Sequence, residues 1–157
     1  MTIKIKPSPT ADTRTCDFKS VTKQQLANSS ARHIGDVQHG LAFFRSKLVE
    51  AAACHDTDKL TDIDGFHADF VTGFEQTGWW DRHRRLNRHH LGQADGIPKD
   101  VNLIDVLDMV ADCVMAGMGR SGEVRPLELM DGVLEMALEN TVELLTRHVV
   151  VLSADED

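Results

Sequence analysis

Apolar side chains recur at helical spacing along most of this chain. Steps of three to five residues connect Leu26 to Leu48, and similar spacing returns between Leu103 and Met118. A period near 3.6 residues places such side chains on one face of an α-helix, whereas a half-buried strand would alternate with a period of two. We find no convincing strand pair and no internal repeat. The sequence therefore predicts an all-α fold, a compact single-domain bundle of about five or six helices.

The 157 residues are enough for one hydrophobic core and too few for two ordinary domains. Pro7 and Pro9 predict that residues 1–20 form an extended or mobile arm outside the core. We expect the helical domain to cover residues 21–152. The last residues, 153–157, are read as an acidic tail.

Two helix boundaries are predicted from local composition. A long helix is expected to begin near Val21, with a break near Arg45 and Ser46 as an alternative, and the alanine-rich segment 48–54 is expected to form a short helix. The last helix is expected to begin near Pro126, since proline suits the first turn of a helix.

Charge and cysteine usage limit the partners. The net charge of -8 argues against holding nucleic acid by phosphate neutralisation. The three cysteines show no C-x-x-C spacing, which favours a reducing cytoplasm over a disulfide framework. No apolar run reaches the roughly 20 residues that a membrane span needs. We therefore expect no nucleic-acid partner and no membrane association; a homo-oligomer remains an open alternative.

Histidine and aspartate side chains suggest a metal site. His55 and Asp56 are adjacent, with His33 upstream and Asp112 downstream on a predicted helix. Imidazole nitrogen and carboxylate oxygen together suit Mn, Fe, Co, Ni or Zn, and Mg is kept as a further candidate. With two to four protein ligands, coordination positions remain for water and substrate, as in a catalytic site. The alternative for His33 is an ordinary helix histidine.

The order of four segments, "RHIGDVQ", "AAACHDTDKL", "NRHHLG" and "IDVLDMVADCVMAG", resembles the HD superfamily of metal-dependent phosphohydrolases. The closest likeness is to an uncharacterised phage and bacterial group, and it spans about residues 30–119. The resemblance implies an HD-like helical fold and a cytoplasmic protein, in the host cytoplasm if phage-encoded. It also implies one divalent ion, with a second as an alternative. The ligands that it implies are His33, His55, Asp56 and Asp112.

Three positions depart from the patterns of these relatives. Asp58 stands where the group usually has serine, and Asp108 where it usually has glutamate. Lys59 stands where better-known nucleotidases of the superfamily often carry glutamate. We expect Asp58 or Asp62 to transfer a proton to the leaving oxygen and Lys59 to meet a phosphate.

The segment at residues 82–90 is rich in arginine and histidine. Superfamily members with two metals place extra histidine ligands in this region, and His89 or His90 would then serve. Contact with substrate phosphate is the favoured interpretation, and a solvated basic face is a third. The candidate substrate-binding residues are Arg82, His83, Arg85, Asn87, His89 and His90.

These residues together predict a metal-dependent phosphohydrolase. The expected substrate is a small nucleotide, a deoxynucleoside mono- or triphosphate, and the expected reaction is attack of metal-activated water on phosphorus. The alternative is a catalytically silent metal-binding or regulatory module.

Overall fold

A computed structural model describes residues 2–8, 10–124 and 126–153 of the chain. This part of the chain contains six α-helices and two short strands, which confirms the predicted all-α fold class. None of its helices is both long enough and apolar enough to cross a membrane. The elements are β1 (Ile3–Ile5), α1 (Lys23–Cys54), α2 (Asp58–Thr61), α3 (Ile63–Phe70), α4 (Trp79–Leu86), α5 (Leu103–Ser121), α6 (Val133–Thr146) and β2 (Val149–Val151).

Contacts divide the chain into two units. The first consists of Met1–Ser46 together with Glu143–Asp157, and the second is Lys47–Val142. The predicted domain at 21–152 therefore draws on both units. Residues 154–157 of the predicted acidic tail lie outside the described residues.

A parallel strand pair in the first unit was not expected from the sequence. β1 pairs with β2, with Ile3 opposite Val149 and Ile5 opposite Val151. The side chain of Ile3 is buried at 4% exposure, so the expectation that residues 1–20 lie wholly outside the core is wrong at this position. Strands of three residues are too short to show a period, and their partners stand at opposite ends of the sequence.

Helix α1 is continuous from Lys23 to Cys54, so the alternative of a break near Arg45 and Ser46 is wrong. Neither glycine nor proline lies between residues 41 and 54, and the alanines at 51–53 favour helix. The boundary between the two units nevertheless falls at Ser46, within this unbroken helix.

The core of the second unit gathers around α5. A capping box begins this helix: the Asn102 side chain accepts from the Ile104 backbone N–H, and the Asp105 carboxylate accepts from the Asn102 backbone N–H. The Thr141 hydroxyl of α6 accepts a further hydrogen bond from the Leu103 backbone N–H at 2.8 Å. The buried core residues are Leu91, Val101, Val106, Met109, Val133 and Ala137.

Helix α6 begins at Val133, not near Pro126 as predicted. Residues 126–130 form no helix, and Gly132 has a positive φ of 79°. A glycine in this left-handed conformation interrupts a continuous helix, so the helix can start only after it.

Candidate metal centre

His55 and Asp56 directly follow the end of α1 and belong to the second unit. The His55 N–H still donates to the Ala51 carbonyl at 2.9 Å, as in a helix. Asp56 then takes a left-handed conformation with φ 53°, which ends the helix and turns the chain into the single turn of α2. Aspartate is one of the few non-glycine residues that tolerate this conformation. The Asn87 side chain accepts from the Asp56 N–H at 3.1 Å and holds the turn in place.

A first group of ligand atoms comprises His55, Asp56 and His89, which all lie within 4.8 Å of one another. His55 Nε2 is 3.6 Å from Asp56 Oδ2, and His89 Nε2 is 3.5 Å from Asp56 Oδ1. Asp112 Oδ1, on α5, lies 3.8 Å from His55 Nε2. A mixture of two imidazoles and one or two carboxylates suits a transition metal or zinc.

The Asp108 carboxylate orients the His55 imidazole of this group and lies near that of His89. His55 Nδ1 donates to Asp108 Oδ1 at 2.8 Å, since an ionised carboxylate can only accept. His89 Nδ1 lies 3.5 Å from Asp108 Oδ2. With the Nδ1 proton directed at a carboxylate, the Nε2 lone pair of His55 faces the group. This is the usual arrangement of a metal-ligating histidine.

Two buried atoms at this position have no hydrogen-bond partner. Among the described residues, four buried side-chain polar atoms are unpartnered, and two of them are Asp56 Oδ1 and His89 Nε2, which face each other. Leaving such atoms unsatisfied costs about 1–3 kcal/mol each. A cation between them would satisfy both, so the residues present fit a bound metal.

A second group comprises Asp56, His83 and His90. His83 Nδ1 donates to the Asp58 carboxylate at 2.9 Å, and its Nε2 lies 3.3 Å from Asp56 Oδ1 and 3.0 Å from His90 Nε2. Two imidazole nitrogens this close are joined either by a shared proton or by a common cation. Asp58 thus orients His83 as Asp108 orients His55, and Asp56 is common to both groups.

The environment keeps the histidines in the form that binds metal. Burial lowers the pKa of His90 to about 3, with the neighbouring His89 and His83 adding to the effect. Burial also lowers the pKa of His89. Neutral imidazole is the species whose lone pair can ligate.

The two carboxylates of the turn remain ionised. Burial opposes the charge on Asp56, but the hydrogen bond and charge of Lys59 hold its pKa below the usual range. Burial likewise opposes the charge on Asp58, and hydrogen bonds from His83 and Asn87 outweigh it, so that its pKa is also lowered. At neutral pH, Asp56 is therefore a negatively charged candidate ligand in both groups, and Asp58 is a negatively charged partner for His83 in the second group.

Aromatic packing and a tight loop position the remaining histidines. His83 is fully buried on α4 and stacks on Trp79 at 5.1 Å and on Trp80 at 4.9 Å. Leu91, also fully buried, anchors the segment that carries His89 and His90 in the core. At Gly96 a Cβ would collide with the carbonyl oxygen of His90. The loop can pass this close to His90 only because residue 96 has no side chain.

The predicted ligand set overlaps these groups in part. His55 and Asp56 belong to them, and Asp112 lies beside His55. His33 belongs to the first unit, where its Nδ1 lies 3.4 Å from Asp12 Oδ2, and it is in neither of the groups found among the described residues. Its role as a ligand stays a prediction.

Most arginines of the 82–90 segment are paired with aspartates. Arg82 donates to Asp62 at 2.9 Å. Arg84 pairs with Asp81 and Asp95, and Arg88 forms a two-pronged pair with Asp105 and also contacts Asp100. These aspartates neutralise the basic segment that the sequence suggested.

Arg85 and His83 lie on different sides of α4. Arg85 is exposed, and residues two apart on a helix do not share a face, so it points away from the buried His83. Its predicted contact with substrate therefore gains no support from the metal groups.

The predicted proton donors and Asn87 have structural partners. Asp62 accepts from Trp79 Nε1 at 2.8 Å as well as from Arg82, and it caps α3. Asn87 bridges the turn, accepting from the Asp56 N–H and donating to Asp58 at 3.0 Å. Their predicted catalytic and substrate roles stay predictions, while the contacts give both residues a positioning role.

The roles of four site residues differ in emphasis between sequence and structure. Phosphate contact is the favoured sequence-based role for His83, His89 and His90, with His89 or His90 as alternative metal ligands, and all three belong to metal-competent groups. Asp58 was proposed as a proton donor, but its carboxylate orients His83. The observation that identifies these roles is the pairing of His55 with Asp108 and of His83 with Asp58. These residues are distant in sequence, so their pairing is visible only in the structure.

The fold and these contacts define a helical protein with two candidate metal-binding groups that share one aspartate. No family model, curated protein or solved structure matches the chain. The residues of the site therefore provide the basis for a function.

Replacing Asp108 with asparagine is expected to lower metal affinity by about 10–100-fold, because the amide cannot orient the imidazole of His55 as a carboxylate does. Titration calorimetry with Mn²⁺ measures the change. Asp64→Asn, an exposed aspartate on α3, is the matched control and should bind as the wild type does. Equal affinity in Asp108→Asn would show that Asp108 does not orient the ligands.

Proposed function

We propose that this protein is a metal-dependent phosphohydrolase that acts on a small phosphorylated nucleotide, a deoxynucleoside mono- or triphosphate. The observation that carries the proposal is the pair of unpartnered buried atoms, Asp56 Oδ1 and His89 Nε2, beside a histidine whose lone pair Asp108 directs to the same point. The chemistry that a divalent ion supplies in such a site is acidification of water and neutralisation of phosphoryl charge. His55, Asp56 and His89 would hold the ion, with Asp112 within reach.

A small pocket beside the first group suits a phosphoryl group. Its volume is about 120 Å³, and its lining includes His55, Asn87, Arg88 and His89. Arg88 offers a guanidinium that Asp105 holds in a fixed orientation. Because Asp105 and Asp100 already balance its charge, this guanidinium would orient a phosphoryl oxygen, and the bound ion would supply the compensating charge.

A second pocket supports a substrate with a planar ring. It has a volume of about 230 Å³ and is lined by Trp80, Arg84, His90, Gly92 and Gln93. An indole face can stack on a nucleobase, and the side chain of Gln93 both donates and accepts hydrogen bonds. His90 lines this pocket and also belongs to the second ligand group, which shares Asp56 with the first. The base and the phosphate would therefore lie near two ligand groups that have Asp56 in common.

The alternative function is a catalytically silent metal-binding module. One observation favours it: Lys59 donates to Asp56 at 2.5 Å, and Asp62 is engaged by Trp79 and Arg82. The turn therefore presents no unengaged carboxylate for proton transfer to a leaving oxygen. A silent module would bind the ion without turning over any nucleotide.

The test is a screen of metal-stripped protein against deoxynucleoside monophosphates, deoxynucleoside triphosphates and cyclic nucleotides. Mn, Fe, Co, Ni, Zn and Mg are added singly, and phosphate or pyrophosphate release is measured. We expect hydrolysis of at least one substrate with at least one metal, and its complete loss on adding a chelator. Bound metal without any turnover would decide for the silent module.

A further inference from the structure

The carboxylate of Asp56 lies at the centre of the cluster, and several groups lie close enough to bind it. Asp56 is common to both ligand groups, so two ions bound there would have to share it. Its Oδ2 already accepts from Lys59 Nζ at 2.5 Å, whereas its Oδ1 accepts no hydrogen bond. Lys59 is three residues after Asp56 in the turn of α2, and its side chain is only 30% exposed. The ammonium is thus a built part of the site.

The ammonium lies beside the second group. Lys59 Nζ is 5.8 Å from the centroid of the Trp80 ring. Trp80 in turn stacks on His83 at 4.9 Å and meets the edge of His90 at 5.6 Å. The positive charge of Lys59 is also among the causes that follow burial in lowering the pKa of His90. Both histidines in contact with Trp80 belong to the second group.

The carboxylates other than Asp56 lie mainly beside the first group, whereas the ammonium of Lys59 lies beside the second. The first group has two besides Asp56, since Asp108 contacts His55 at 2.8 Å and Asp112 approaches it at 3.8 Å. Among the residues that the structure describes, the second group has only Asp58 besides Asp56, and it lies behind His83. A divalent ion at the first group would therefore meet an excess of negative charge. The second group faces Asp56 Oδ1, which lies 3.3 Å from His83 Nε2, whereas Lys59 binds Oδ2 of the same carboxylate. A divalent ion at the second group would therefore find its carboxylate already paired with a cation, which opposes it by charge and not by occupying Oδ1.

We propose that Lys59 is a built-in cation that keeps a second divalent ion out of the group formed by Asp56, His83 and His90. The native protein then binds one ion, at His55, Asp56 and His89. The inference rests on the proposed metal centre, and it does not depend on hydrolysis.

The experiment counts Mn²⁺ ions per chain in wild-type protein and in Lys59→Met by titration calorimetry and elemental analysis. We expect one ion in the wild type and two in Lys59→Met, with the second site tightened at least about tenfold once the opposing charge is gone. Lys59→Arg keeps the charge and should keep one ion. Lys47→Met is the matched control: Lys47 has a side chain that is also 30% exposed and pairs with Glu50 three residues on, and its loss should leave one ion.

A spectroscopic readout and a second neutral variant complete the test. Two Mn²⁺ ions that share Asp56 should give the electron paramagnetic resonance spectrum of a spin-coupled pair in Lys59→Met and Lys59→Gln, and not in the wild type. One ion in both neutral variants would overturn the proposal, as would two ions of equal affinity in the wild type. A rise from one ion to two without any turnover would uphold it and reject the hydrolase function. No bound metal in any variant would reject the metal centre and this inference together.

Discussion

Replacing Asp56 with asparagine is expected to abolish metal binding and all metal-dependent hydrolysis. Asp56 is the one residue common to both ligand groups, and its carboxylate supplies the charge that draws a cation to either. Losing a direct anionic ligand should cost more than the roughly 10–100-fold that follows when only a supporting partner is lost. We expect affinity for Mn²⁺ to fall by more than about 100-fold and turnover to fall below detection.

The choice of asparagine separates chemistry from folding. Asparagine tolerates the left-handed conformation with φ 53° at least as well as aspartate, and the backbone N–H can still donate to Asn87. The variant should therefore unfold at a urea concentration close to that of the wild type. Asp64→Asn serves again as the control. Full turnover in Asp56→Asn would reject the proposed site.

Replacing Trp79 with alanine is expected to lower the free energy of unfolding by about 3–5 kcal/mol. The indole is 2% exposed, stacks on His83 at 5.1 Å and packs against Phe66 at 4.7 Å, so its removal leaves a cavity among aromatic rings. Its Nε1 also donates to Asp62 at 2.8 Å. Urea unfolding followed by circular dichroism measures the loss.

Two further variants separate the contributions of packing and hydrogen bonding to this loss of stability. Trp79→Phe keeps most of the packing and removes the hydrogen bond to Asp62, and we expect a loss of about 1 kcal/mol beyond the change in volume. Trp80→Ala, at a partly exposed neighbouring position, should cost less than Trp79→Ala. Equal losses for the two alanine variants would show that Trp79 does not carry the packing of α4.

The helical class could be predicted from the sequence because its signal is local. The period of apolar residues between Leu103 and Met118 acts within one helix, α5. The strand pair between Ile3 and Val149 could not be predicted from the sequence, since each strand depends on a partner nearly 150 residues away. The start of α6 was wrong for a local reason: the left-handed conformation of Gly132 delays the helix to Val133, so Pro126 does not begin it.

The site was predictable to the extent that its residues are adjacent in sequence. His55 and Asp56 are adjacent and both are common metal ligands, so the sequence alone predicts them as a pair of candidate ligands. The partners of each histidine are set by packing: Asp108 reaches His55 from α5, and Asp58 reaches His83 from α2. No spacing rule connects them, so the second ligand group and the two orienting aspartates emerge only from three-dimensional contacts.

The left-handed conformation of Asp56 restricts what evolution or a mutagenesis library can place at this position. Glycine, asparagine and aspartate tolerate the backbone, and of these only aspartate brings a carboxylate. Glutamate would supply the charge but strain the turn. In a library that samples all residues at position 56, selection for a folded chain should therefore enrich these three residues, and selection for bound metal should enrich aspartate among them.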